Sequence, residues 1–316
     1  MSKPLLLFLA LCLWPFPATA AEAFYPPPWP VADVSLTIPA SEESESNALY
    51  NLFSEAFATQ TGKKLSFRYV PGLAGATAWA RMVDDKQDGT ALTAVTYPEF
   101  FLRTAQPDSG IAPESMLLCH VAAYSPCILW GDFDSLQAFI DAAQIARGDL
   151  LVAGPGSYSA GQTAARALDR LAGIKTLYIP YAESAGAAIA GNERKVKAFW
   201  AYSMLPKQHG TLRPLAVAAE QRMPSLPDVP TFLELGINLI EGSYYAIAVP
   251  AGTHKETVSA IATFFSGHAE TEKFRAQALS LGFVPMNLAL EDIPEFLDYV
   301  QGEASRKIEE YSLYDQ

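Results

Sequence analysis

A short apolar strand followed by a glycine- or serine-rich loop and then a helical pattern recurs along the chain. In the first part, VSLTIPA begins at Val34, KLSFRYV runs into PGLAGATAWARMV, and TALTAVTY ends at Tyr97. The pattern starts again at Asp149, where DLLVA leads into GPGSYSAG and a helix that reaches about Leu171. Strands that alternate with helices favour parallel sheets covered on both faces, so the two starts predict an α/β fold with two such sheets.

The end of the chain supplies one more strand, in SYYAIAVP, and two helices that need a sheet to cover. The simplest arrangement has the chain cross to a second domain near residue 124 and return near residue 248. Residues 22–123 and 249–316 then form domain 1, and residues 124–248 form domain 2. Ligands of open α/β sheets bind beyond the carboxyl ends of the strands, where the glycine- and serine-rich loops would gather in a central cleft.

The N-terminus has the three parts of a secretory signal peptide. Lys3 precedes an apolar run from Leu5 to Trp14, and Ala18-Thr19-Ala20 follows as a cleavage site. We therefore predict that residues 1–21 are a signal peptide and that the mature chain is periplasmic. No later stretch has the roughly 18 apolar residues of a membrane helix, so membrane insertion of the mature chain is not predicted.

The charge balance excludes some classes of partner. The formal net charge is −12, and removal of Lys3 with the signal peptide makes it more negative. Nucleic acid and anionic membrane surfaces are therefore poor partners. The two cysteines of the mature chain, Cys119 and Cys127, could pair as a disulfide or remain as buried free thiols, and no pattern around them indicates catalysis.

Motifs of catalytic, metal or cofactor sites are missing from the sequence. The four histidines do not stand at metal-ligand spacing, and there is no phosphate-binding loop of the GxxxxGK[ST] type. GSYSAG places Ser159 in a strand-to-helix turn, but it lacks the glycine two residues earlier that a nucleophile elbow uses. We predict no enzyme activity, no metal and no cofactor; a serine hydrolase that uses Ser159 is the least favoured alternative.

The loop GPGSYSAG is instead typical of a helix start that holds a polar or negatively charged group. Unpaired main-chain N–H groups collect at such a turn. Ser157 and Ser159 suit helix capping, which is compatible with ligand contact because both use the same donors. We predict that Ser157, Ser159 and Gln162 contact a solute there.

Four stretches resemble the periplasmic solute-binding receptors of tripartite tricarboxylate transporters, the TctC or Bug type. They are RYVPGLAGATAWARMVDDKQDGTAL, GPGSYSAGQTAARALDRLAGIKTLYIPYAESAGAAIAG, GTLRPLAVAAEQRMPSLPDVPTFLELG and AIAVPAGTHKETV. The third is the most specific, since its LAV, LPDVPT and final glycine form a signature of that family. The resemblance covers nearly the whole mature chain.

The resemblance implies two Rossmann-like domains with a central cleft, the type II or Venus flytrap architecture of periplasmic binding proteins. It implies a small organic solute, usually a carboxylate, that is delivered to the membrane permease subunits of a tripartite transporter. A sensor that partners a membrane histidine kinase is an alternative role. The predicted ligand-binding positions, which come from the resemblance and from the loops and strand ends above, are Ser41, Glu43, Ser44, Gly72, Ala74, Gly75, Ala76, Thr96, Tyr97, Ser157, Tyr158, Ser159, Gln162, Tyr181, Glu183, Ser184 and Tyr202.

The first loop departs from the glycine-rich family pattern. It reads ASEESES, with acids at Glu42, Glu43 and Glu45, and Asn47 stands where the family usually has an aspartate. In one interpretation the loop is a solvated helix start capped by Ser41 or Ser44. In the other a glutamate enters the cleft, fills the anion site or meets an amine, and the solute is zwitterionic, cationic or neutral.

Further departures affect the second domain. Gln162 replaces a common histidine, Ala182-Glu183 replaces a Lys-Gly pair, and Trp200-Ala201 stands where Phe-Asp is usual. Aromatic side chains at strand ends belong either to the core or to the ligand site. Tyr158 lies inside a loop and is the best candidate among them for a side-chain contact.

Overall fold

A computed structural model describes residues 29–107, 109–181, 196–202 and 212–311. The predicted signal peptide and two predicted site residues, Glu183 and Ser184, lie outside these ranges. Within the described part, no helix combines the length and apolar character needed to cross a bilayer.

The described residues form strands and helices in the alternation that the sequence predicts. The strands are β1 (Val34–Ile38), β2 (Leu65–Tyr69), β3 (Ala91–Tyr97), β4 (Met116–Pro126), β5 (Ile128–Gly131), β6 (Leu151–Pro155), β7 (Leu177–Tyr181), β8 (Ala198–Ala201), β9 (Arg213–Val217), β10 (Gly242–Pro250) and β11 (Val284–Pro285). The helices are α1 (Glu45–Asn51), α2 (Ser54–Thr61), α3 (Ala76–Arg81), α4 (Glu99–Thr104), α5 (Leu136–Ala146), α6 (Ala160–Ala172), α7 (Lys255–Ala269), α8 (Glu272–Ser280) and α9 (Ile293–Tyr311).

Several helix boundaries follow from cap chemistry. Ser44, Ser135, Ser159 and Thr271 each accept a hydrogen bond from a main-chain N–H of the first turn that follows. Such caps satisfy donors that have no partner inside the helix. Gly173 ends α6 in the left-handed region, at φ 62°, where a residue without Cβ carries no steric penalty.

The strands of the described residues form two sheets. The first has the order β11-β4-β10-β3-β1-β2, and the second has the order β7-β6-β8-β5-β9. The α/β class and the two sheets predicted from the sequence are confirmed.

Neither sheet is wholly parallel, and here the sequence prediction is wrong. The pairs of β1 with β2 and β3, and of β6 with β7 and β8, are parallel. In contrast, β10 is antiparallel to β3 and β4, and β5 is antiparallel to β8 and β9. The antiparallel strands lie where the chain passes between the sheets, and a strand that arrives without a crossover helix is free to pair in this way.

The chain passes from the first sheet to the second at the end of β4, and it returns to the first sheet at the beginning of β10. Both strands belong to the first sheet along their whole lengths, whereas β5 to β9 belong to the second. We therefore propose that the domains divide close to Cys127 and Glu241, rather than inside these strands at 123/124 and 248/249.

Alternate residues of each sheet enter separate buried clusters. In β10, Tyr245 and Ile247 pack in one cluster, and Ala246 and Ala248 pack in another. Both faces of the first sheet are therefore covered, as a buried α/β sheet requires.

The two cysteines are free and buried, so of the two interpretations the free thiols are confirmed. Cys119 packs in the first domain, and Cys127 packs in a cluster of the second. Burial raises the pKa of the Cys119 thiol to about 12.

Candidate functional site

Two of the predicted cleft loops face each other. One loop, Gly72 to Ala76, precedes α3 of the first domain, and the other, Gly156 to Gln162, leads into α6 of the second. A Cβ atom built on Gly156 would lie 3.5 Å from the Cβ atom of Ala74. The carboxyl-edge loops of both sheets therefore converge, as the sequence predicts.

The loop of the first domain has an unusual backbone. Gly72, Leu73, Ala74 and Gly75 all have positive φ, at 132°, 50°, 50° and 102°. At Gly75 a side chain would overlap the ring of Trp79, so only glycine fits there. The left-handed turn brings Ala74 towards Gly156.

Two side chains of the loop of the second domain, Ser159 and Gln162, form hydrogen bonds within the loop and to the strand before it. The Ser159 hydroxyl accepts from the Gln162 N–H at 3.2 Å and donates to the Pro155 carbonyl at 2.9 Å. The Gln162 side-chain oxygen accepts from the Tyr158 N–H at 2.7 Å. Ser159 and Gln162 are 1% and 2% exposed, so both side chains stabilise the loop in this structure, which differs from their predicted role as solute contacts. The Ser159 hydroxyl donates its hydrogen bond to the Pro155 carbonyl, and this geometry gives no support to a hydrolase that uses Ser159.

A carboxylate of the chain itself lies at the start of α6. Glu99, the first residue of α4, comes from the first domain and is 3% exposed. Its Oε1 atom accepts hydrogen bonds from the Ala160 N–H at 3.0 Å, the Tyr202 hydroxyl at 2.9 Å and the Ser243 hydroxyl at 2.5 Å. The Gly161 N–H donates to the Tyr202 hydroxyl at 3.3 Å. The carboxylate at this helix start therefore belongs to Glu99 of the chain itself, whereas the GPGSYSAG pattern predicted the polar end of a solute there.

A second side chain of α4 also reaches the loop of the second domain. Arg103 donates to the Ser157 carbonyl at 2.8 Å, and its guanidinium carbon lies 4.6 Å from the centre of the Tyr158 ring. This ring geometry is that of a cation–π interaction. Tyr158 has φ 61°, so its ring is directed by a left-handed backbone. Side chains of α4 thus connect the two domains.

The first loop has the cap and the exposed acids that the solvated interpretation of ASEESES predicts. Ser44 caps α1, and Glu42 and Glu43 are exposed, as a solvated helix start predicts. Glu45, however, points to the domain junction, where its carboxylate accepts a hydrogen bond from the Tyr245 hydroxyl at 2.8 Å. Burial raises the pKa of Tyr245 well above its ordinary value, and the charges of Glu45 and Glu99 raise it further. Glu45, and not the predicted Glu43, is thus the glutamate of this loop that reaches Tyr245, and contact of either one with a solute stays a prediction.

The remaining predicted positions divide between the loops and the core. Tyr97 is 1% exposed and packs against Phe100, Phe101 and Phe296. Those with partial exposure are Ser41, Gly72, Ala74, Ala76, Thr96, Ser157, Tyr158, Tyr181 and Tyr202. Their contact with a solute stays a prediction, and the side chain of Tyr97 is part of the core.

Sequence reasoning missed Glu99, Arg103, Ser243 and Tyr245. One signal was available for Glu99, because it follows the carboxyl end of β3, where ligand-site residues of α/β sheets collect. Ser243 and Tyr245 lie on a strand that pairs through tertiary contacts with β3, and no local pattern predicts that pairing.

Two α/β sheets with facing loops at their strand ends define the class of two-domain solute-binding proteins. A family model described as the tripartite tricarboxylate transporter family receptor, TctC, matches residues 100–312, and the chain belongs to this family. The chain is therefore a solute-binding receptor of a periplasmic binding-protein family, as the sequence resemblance predicts.

Individual relatives agree with this assignment. A curated relative from Cupriavidus necator, the UPF0065 protein in gbd 5'region, is 24% identical over 295 residues, which cover 91% of this chain and 88% of the relative. The periplasmic binding protein BugD has a similar fold, with a TM-score of 0.81 at 17% identity over 90% of this chain and 99% of that chain. MatC from Rhodopseudomonas palustris with bound malate gives 0.77 at 18% identity, covering 89% and 100%, and an R. palustris structure with adipate gives 0.80 at 20%, covering 89% and 97%.

Proposed function

We propose that this chain, exported with its signal peptide removed, captures a small organic solute in the interdomain cleft and delivers it to the membrane permease of a tripartite transporter. The solute carries a carboxylate group and is a simple acid, a zwitterion or an amine-containing compound. The observation that carries the proposal is the approach of the loops at Ala74 and Gly156 across the junction of the two sheets. Malate and adipate in the similar structures support an organic acid as the solute class.

The geometry also explains how a solute could be enclosed. Loops from the carboxyl ends of both sheets face each other, and the described strands pass between the two sheets near Cys127 and Glu241. A solute between the domains would contact both loops at once. Binding would then stabilise the approach of the two domains, because a ligand favours the arrangement to which it binds best.

Thermal-shift screening of the mature chain tests this function. In a panel of organic acids, amino acids, sugars and polyamines, we expect at least one organic acid or amino acid to raise Tm, since a ligand at about 100 times its Kd adds about 2.7 kcal/mol to the stability of the folded form. Gly156→Leu should abolish the shift, because its side chain would project towards Ala74. Gly267→Leu is the matched control, since a Cβ atom there meets nothing within 4 Å. A panel in which only sugars or polyamines raise Tm would contradict the proposal.

A further inference from the structure

We propose that the solute presents a protonated amine to the free carboxylate oxygen of Glu99, Oε2, at the start of α6. This inference rests on the proposed function and names the solute class more closely. Glu99 would then be the specificity-determining residue that distinguishes amine-bearing carboxylates from simple dicarboxylates.

The two oxygens of Glu99 have different surroundings. Oε1 accepts all three of the hydrogen bonds that join α4 to Ala160, Tyr202 and Ser243. Oε2 is buried and has no hydrogen-bond partner among the described residues. A buried acceptor without a partner is costly, and most such groups in proteins are satisfied by water or by a ligand.

Oε2 lies at the junction of the two domains. Since the two oxygens share one carboxyl group, Oε2 lies beside the first turn of α6, the end of β8 and the beginning of β10. These three elements meet where the second domain joins the first. The predicted solute loop Gly156 to Gln162 leads into the same first turn of α6.

The charge at this junction favours a cation. The first turn of α6 already has a carboxylate partner in Glu99, whose Oε1 atom accepts the Ala160 N–H. A solute carboxylate would therefore gain little from α6 and would meet the charge of Glu99. Glu45, hydrogen-bonded to Tyr245 near the same junction, adds a second negative charge.

Two cations near this junction are held by other acceptors. Arg103 contacts the Ser157 carbonyl and the Tyr158 ring. Lys307 pairs with Glu241 at 2.8 Å. Arg103 and Lys307 thus donate to groups other than Oε2. A protonated amine on the solute would supply a charged donor to Oε2.

Calorimetric titration with matched probes tests the inference. The dicarboxylates are succinate, glutarate and adipate. Their counterparts either replace one carboxylate by an aminomethyl group, as in 4-aminobutyrate, 5-aminopentanoate and 6-aminohexanoate, or add an amine, as in aspartate, glutamate and 2-aminoadipate. We expect the tightest ligand of the wild-type protein to carry an amine and to bind at least about tenfold more tightly than its dicarboxylate, since a hydrogen bond to a charged group is worth about that much.

Glu99→Gln should reduce this preference by about tenfold or more, because the amide keeps an acceptor for the three Oε1 donors but places an N–H₂ group where Oε2 stood. Ser243→Ala is the matched control, since it removes one Oε1 donor, leaves Oε2 intact and should retain the preference. If Glu99→Gln does not fold, the wild-type protein tests the proposal by itself, through the ratio of its affinity for the amine-bearing ligand to its affinity for the matching dicarboxylate.

The contrary results separate two conclusions. Equal or tighter binding of dicarboxylates to the wild-type protein, or an unchanged ratio in folded Glu99→Gln, would overturn the role of Glu99 and leave the receptor function intact. Binding of no compound in either series to the wild-type protein would overturn both the role of Glu99 and the carboxylate class of the proposed solute.

Discussion

Lys307→Met should lower the free energy of unfolding by about 3–5 kcal/mol, the cost of leaving one member of a buried ion pair without its partner. Lys307 lies on α9 and Glu241 lies where the chain returns to the first domain, and their side chains are only 10% and 3% exposed. Burial acts to lower the pKa of Lys307, but the Glu241 carboxylate outweighs this effect, so the pKa of Lys307 is raised. Urea denaturation of the wild-type and variant proteins measures the difference.

An exposed pair of the same type provides the control. Lys273 lies 2.6 Å from Glu55, with side chains 61% and 79% exposed, and Lys273→Met should cost at most about 1 kcal/mol. Adding Glu241→Gln to Lys307→Met should recover part of the loss, because the uncompensated charge is then removed. Equal losses for the two lysine variants would show that the pair at Glu241 does not stabilise the domain junction.

His120 should make the protein lose about 3 kcal/mol of stability as the pH falls from 6.5 to 4. The side chain is fully buried in β4 beside Phe53 and Phe265, and neither ring nitrogen has a hydrogen-bond partner among the described residues. Burial lowers the pKa of His120 to about 4. The unfolded chain therefore binds a proton in this pH range that the folded chain does not, and stability present above pH 6.5 is lost on acidification.

His120→Leu isolates this contribution. The variant should gain about 3 kcal/mol relative to the wild-type protein between pH 6.5 and pH 4, whatever the constant effect of the substitution on packing. Urea denaturation at several pH values measures the relative change. Parallel pH profiles of the two proteins would mean that the His120 proton is not linked to folding.

Local sequence patterns predicted the features that depend on local chemistry. The strand–loop–helix repeats placed both sheets, and the serines of the loops placed the caps at Ser44 and Ser159. The convergence of the glycine loops followed from the rule that ligand-site loops gather at the carboxyl ends of strands.

The interior of the site depends on pairings that no local pattern contains. Glu99 reaches α6 only because the two sheets are packed together, and Ser243 meets it from a strand far along the chain. That Glu45 at the start of α1, and not Glu43 before it, reaches Tyr245 is set by tertiary packing. The left-handed turn at Ala74 likewise depends on the contact between Gly75 and Trp79.

A cross-link between the two loops tests most directly whether solute binding requires a cleft between them. In Ala74→Cys/Gly156→Cys the two Cβ atoms would lie 3.5 Å apart, within the range of disulfides, whereas the native thiols are buried. We predict that mild oxidation joins these loops, that the oxidised protein loses the solute-dependent rise in Tm, and that reduction restores it. Failure of the pair to cross-link, or an unchanged rise in Tm after complete cross-linking, would contradict binding between the two domains.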